Sequence, residues 1–170
     1  MIPSSSFRRR TGAAGAALAA LMIAGCASGP PQASRAPGSE ADRRAAAPAA
    51  LMAEQQWLQQ WFSGTPVQIV MARDGTLRVD VPAAFAFDAG QAGVKPPLAA
   101  VLDRVAESLR RNELLVVSVS VPAASDAALA KRRHDAVARH LAGRGVAAAR
   151  VGTSPANGAV LGLRLAVGDA

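Results

Sequence analysis

Only one of the 170 residues is cysteine, none is tyrosine, and aromatic residues make up 4% of the chain. A single cysteine excludes a disulfide within the chain and any zinc site built on paired cysteines. The two histidines, His134 and His140, lack the i, i+4 spacing that sets two imidazoles on one metal. No Gly-x-Ser-x-Gly elbow surrounds Ser118 or Ser120, and glycine-rich phosphate loops and paired acidic motifs are missing too. The sequence therefore calls for no metal, no cofactor and no enzyme chemistry. Basic residues are scattered, without a long cluster interleaved with aromatics, so nucleic acid is not an expected partner. Much of the apolar content is alanine, which buries little area, so the core falls to Leu, Val, Trp and Phe and suffices for one small domain.

What is there begins at the N-terminus. Arg8, Arg9 and Arg10 form a basic segment, and Thr11 to Ile23 follows as a small-residue and apolar stretch too short to span a bilayer comfortably. It closes on Ile23-Ala24-Gly25-Cys26, which resembles the lipobox of bacterial lipoproteins. The resemblance implies that residues 1–25 are a signal peptide and that Cys26 is acylated as the first mature residue. Ala27, where the family's sorting rule places aspartate for inner-membrane retention, then implies the outer membrane, with the rest of the chain facing the periplasm. The plainer alternative is an ordinary secretory signal followed by a free thiol in an oxidising compartment. Arg-Arg occurs in many basic n-regions and does not separate the twin-arginine route from the general one. Cleavage would remove three of the 19 Lys and Arg and none of the 12 Asp and Glu, leaving a net charge of +4.

Residues 26–50 comprise the cysteine and a segment rich in Ala, Pro, Gly, Ser and Arg without an apolar period, which reads as a flexible linker. Residues 51–82 read as a helix and a hairpin. Leu51, Glu54 or Gln55, Leu58, Trp61 and Phe62 recur at helical spacing, and Trp57 and Trp61 serve either as core or as a docking surface. Val67–Met71 and Leu77–Val81 flank Asp74-Gly75, a hairpin turn signal.

Residues 83–170 read as the domain to which this helix and hairpin are added. Phe85 and Phe87 suggest a short strand, and Pro96 opens a helix through Arg111 with Leu98, Val101, Leu102, Val105 and Leu109 on one face. Val117, Val119 and Val121 alternate with Ser118 and Ser120 in a strand with one covered face. Ser125 caps a helix from Asp126 to about Ala142, with Leu129, Val137 and Leu141 expected inside and Lys131, Asp135 and Arg139 outside. Leu161–Val167 is the last strand. Strand, helix, strand, helix, strand makes an α/β two-layer sandwich.

This order, with Phe85-Ala86-Phe87-Asp88, Val94-Lys95-Pro96 and above all Leu129-Ala130-Lys131-Arg132-Arg133-His134-Asp135-Ala136-Val137, resembles the OmpA-like C-terminal domain of peptidoglycan-associated outer-membrane lipoproteins and flagellar stators. The last segment is similar to that family's Leu-Ser-x-x-Arg-Ala-x-x-Val. The resemblance implies non-covalent tethering of the envelope to peptidoglycan, with Arg133 at the position of an arginine that takes a diaminopimelate carboxylate. The family's Gly-His-Thr-Asp loop, whose aspartate takes the ammonium, is replaced here by Pro122-Ala123-Ala124-Ser125. Asp126, two helical turns before Arg133, is the acidic residue left to compensate, and Arg164 keeps one arginine of the family's closing Asn-Arg-Arg-Val. The residues themselves leave Arg133 open: it falls on the apolar stripe of its helix, where a guanidinium meets either a ligand anion or a structural partner such as Asp88 or Asp126. A domain that kept the fold but lost the wall site, and serves as a structural module or binds envelope proteins, is the alternative function.

Overall fold

The computed structural model describes residues 39–123, 126–156 and 158–168. The signal segment, Cys26, Ser125 and Asn157 lie outside the described residues.

The first element is longer than the sequence pattern predicts. Helix α1 runs Glu40–Trp61, so residues 40–50, read above as linker, are helical. Ser39 caps it by accepting from the Asp42 amide at 3.2 Å. The alanine-rich stretch around Pro48 has high helix propensity apart from that one proline, whose cost of about 3 kcal/mol must be offset by packing. That packing is a stripe of buried Ala47, Leu51, Glu54 and Leu58, which only the folded domain creates.

A single sheet follows, in the order β1-β2-β5-β3-β4. Strands β1 (Gln68–Met71) and β2 (Leu77–Pro82) form the expected hairpin. Gly75 has φ of 77°, and the Asp74 carboxylate accepts from the Thr76 amide and hydroxyl at 3.1 and 2.7 Å. Strand β2 pairs with β5 (Val160–Val167), which makes the hairpin part of the same sheet rather than a separate unit. The hairpin and the elements after residue 82 therefore share one sheet, joined by the ladder of β2 with β5.

The expected strand at Phe85–Phe87 is corrected. Ala83–Ala86 is a short helix, α2, and Phe87 is extended and buried beyond it. Pro82, paired with Val160, ends the β2 ladder before the phenylalanines are reached. Helix α3 (Pro96–Arg111), strand β3 (Leu115–Ser120) and helix α4 (Ala127–Gly143) follow the sequence reading closely. A 3-10 turn at Ala148–Arg150 leads to the short edge strand β4 (Val151–Thr153), which pairs in parallel with β3. The fold is thus an α/β two-layer sandwich with one five-stranded sheet.

The core lies between the sheet and the helices. Leu77, Val79 and Val81 of β2, Leu161, Leu163 and Leu165 of β5, and Leu115, Val117 and Val119 of β3 meet Leu98, Val101, Leu102, Val105 and Leu109 of α3. Val137 and Leu141 of α4 are buried as expected, and Lys131 and Arg139 are exposed. Leu129 and Asp135 are both intermediate in burial, Leu129 because it stands in the first turn of α4, at the border of the apolar stripe. Trp57 packs partly against the core whereas Trp61 is 52% exposed, and each lies under an α3 arginine, Arg111 at 4.0 Å and Arg104 at 3.7 Å. No described helix is long and apolar enough to cross a membrane.

Candidate binding site

Arg133 sits in the second turn of α4 and is 8% exposed. Its guanidinium reaches out of the helix toward the loop between α2 and α3. There Nε donates to the carbonyl of Gln91 at 2.9 Å and an Nη donates to the carbonyl of Asp88 at 3.4 Å. The plane lies 4.9 Å from the ring centre of Phe87, within cation–π range. The burial expected from the apolar stripe is therefore present, and the partners are backbone oxygens of a loop. The carboxylate of Asp88, offered above as a partner, pairs with Lys95 at 3.0 Å instead.

Asp126 does not join Arg133. It is the N-cap of α4, its carboxylate accepting from the Ala128 amide at 2.8 Å, and it meets Arg132 at 3.7 Å. The cap role assigned to Ser125 is filled by Asp126, which explains an aspartate at this point without a ligand. Arg164 stands on the opposite side of the sheet, half-exposed, with Asp74 at 3.8 Å. The three arginine and aspartate positions singled out in the sequence thus fall in three different environments.

The partners of other polar residues are not legible in the sequence. Glu54 is 7% exposed and accepts from Ser108 at 2.6 Å, from Arg111 at 3.2 and 2.7 Å and from Asn112 at 3.0 Å. Burial pushes its carboxyl up, but the hydrogen bonds from Arg111, Ser108 and Asn112 and the Arg111 charge outweigh this and hold it below the ordinary glutamate value. Arg150 donates to the carbonyls of Leu109, Asn112 and Leu115, tying the end of α3 to β3, and desolvation lowers its pKa. His140 is 2.7 Å from Asp103, which also accepts from Arg144 at 2.8 Å across α3 and α4. The only signal of these links in the sequence is a polar residue at an apolar helix position, as at Glu54.

No protein-family model and no curated protein matches the sequence. Solved structures do match. A MotB-like protein from Desulfovibrio vulgaris superposes with a TM-score of 0.57 at 15% identity, over 74% of this chain and 99% of that one. The periplasmic domain of Helicobacter pylori MotB superposes with a TM-score of 0.51 at 11% identity, over 62% of this chain and 85% of that one. The fold is OmpA-like. Within this fold the Arg133 guanidinium is turned into the scaffold, and residues 122–125 carry no acidic side chain.

Proposed function

We propose that the chain is an outer-membrane lipoprotein, anchored through Cys26, whose OmpA-like domain faces the periplasm and contacts peptidoglycan without a covalent bond. The observation that carries this reading is the OmpA-like fold shared with the periplasmic domain of MotB. The lipobox-like Ile23-Ala24-Gly25-Cys26 supports the anchor, and Ala27 supports the outer membrane. With a diacylglyceryl group on the Cys26 sulfur and an acyl chain on its amine, burial at about 0.8 kcal/mol per methylene would hold the chain at the bilayer without a membrane helix. The segment between Cys26 and Ser39 then sets the reach of the domain, a shorter span than a linker ending at residue 50 would give. The internal engagement of Arg133 favours a second reading, an envelope module that keeps the fold for protein contacts and has lost wall binding.

Two measurements test this. Cys26→Ser should abolish incorporation of labelled palmitate and move the protein to the soluble periplasmic fraction; membrane retention unchanged by the substitution refutes the anchor. That soluble Cys26→Ser protein should also co-sediment with purified sacculi. Failure to co-sediment selects the module reading over the wall reading.

A further inference from the structure

The sheet face turned away from the helices carries a polar hollow of about 400 Å³, walled by Arg78, Asp80, Ser118, Ser120, Ser154 and Arg164. The pairing register sets Arg78 directly opposite Arg164, with Ser118 opposite Arg164 on its other side. Like charges directly opposite on neighbouring strands destabilise a sheet, and this pair involves its middle strand, β5. Arg78 is neutralised by Asp80 at 3.0 Å, on a side chain that is 16% exposed. The carboxylate met by Arg164 is Asp74, at 3.8 Å in the exposed hairpin turn, a contact that water and salt screen. One cationic group in the hollow therefore remains weakly compensated.

Beside the two arginines, β5 presents Gly162. A Cβ there would lie 2.5 Å from the Ser120 hydroxyl and 3.2 Å from an Asp80 carboxylate oxygen, so the absence of a side chain lets these two groups converge over the middle strand. The Ser120 hydroxyl donates to the Gly162 carbonyl at 3.4 Å. The hollow thus has a cationic end at Arg78 and Arg164 and an acceptor end at Asp80 and Ser120.

We propose that this hollow binds a carboxylate-bearing peptide. Arg164 holds the carboxylate, Ser118 adds a hydroxyl donor, and Asp80, paired with Arg78, and Ser120 accept N–H groups from the adjoining part of the ligand. The choice of a peptidoglycan peptide as that ligand rests on the cell-wall reading above. It moves the binding role away from Arg133, whose guanidinium is engaged on the helical side of the sheet.

The test is calorimetric titration of the full-length protein in detergent micelles with soluble muropeptides, released from sacculi by muramidase, at low ionic strength. Wild type should bind, and Arg164→Gln should weaken binding by about tenfold or more, since it removes a charge-assisted contact. Asp74→Asn, which frees Arg164 from its exposed partner, should bind at least as tightly as wild type. Without muropeptide, Arg164→Gln should melt at the same temperature as wild type or higher, because the like-charge opposition is gone. Equal muropeptide binding by Arg164→Gln and wild type, a clearly lower melting temperature for the variant, or no muropeptide binding by wild type overturns the site. Sacculus binding that survives Arg164→Gln removes the site and leaves the wall reading standing; wild type that binds neither sacculi nor muropeptides removes both.

Discussion

Replacing Glu54 with alanine is expected to destabilise the domain by about 1.5–3 kcal/mol, the range for hydrogen bonds to a charged group, since Glu54 is buried while its partner Arg111 is 44% exposed. The carboxylate is the common acceptor for Ser108, Arg111 and Asn112, and its loss leaves all three donors at the α1–α3 contact without it. Against a total stability of about 5–15 kcal/mol for a domain, this is a large fraction of the margin. Chemical denaturation followed by tryptophan fluorescence measures it directly, because Trp57 lies under Arg111 and its ring centre is 6.2 Å from that of Trp61. Glu54→Gln adds a pH signature. With a folded pKa below the ordinary glutamate value, the carboxylate contributes stability that is full above the unfolded value of about 4.3 and is lost as pH falls through the folded pKa. The glutamine variant should therefore lose less stability than wild type on acidification through that window. Parallel acid limbs for the two proteins would show that Glu54 is not the titrating lock.

Arg133→Ala is expected to cost about 1.5–3 kcal/mol of stability, the range for hydrogen bonds to a charged group. It removes the guanidinium donor from the Gln91 and Asp88 carbonyls, of which the latter keeps the Gln91 amide, and removes the cation from Phe87. The effect should be local as well as global, with faster amide exchange at Gln91 and Lys95, whose amides bond to the Asp88 and Ala86 carbonyls. Arg133→Lys should restore little, since one ammonium cannot reproduce the planar donor set that bridges two carbonyls and stacks on a ring. Arg132→Ala is the control, because Arg132 is exposed and meets only the exposed Asp126, at 3.7 Å. An Arg133→Ala protein with wild-type stability but no sacculus binding would reverse this assignment and return Arg133 to a ligand.

The residue order around Arg133 was legible as an OmpA-like pattern, and its burial followed from the helical period. Its partners were not. Gln91 and Asp88 contribute backbone carbonyls, which carry no side-chain signature, and they come from a loop more than 40 positions earlier in the chain. The same holds for Arg150, whose acceptors are the carbonyls at the end of α3 and the start of β3. Helix α1 was misjudged at its start for a related reason. Alanine, proline and arginine in residues 40–50 give no apolar period, and the buried position of Ala47 exists only because the rest of the domain lies against it.

By itself the sequence determined the local elements whose signals are periodic or steric. The Asp74-Gly75 turn, the apolar face of α3, the alternation of Val117 and Val119 with Ser118 and Ser120, and the two-layer α/β class all follow from side-chain spacing and backbone freedom. Tertiary structure alone decided that the hairpin joins the sheet through β2 and β5, and hence that Arg78 stands opposite Arg164. It also decided that Arg133 clamps a loop while Asp126 caps its own helix. Strand register and loop placement depend on which apolar faces close on one another, a property of the whole chain that no window of neighbouring residues contains.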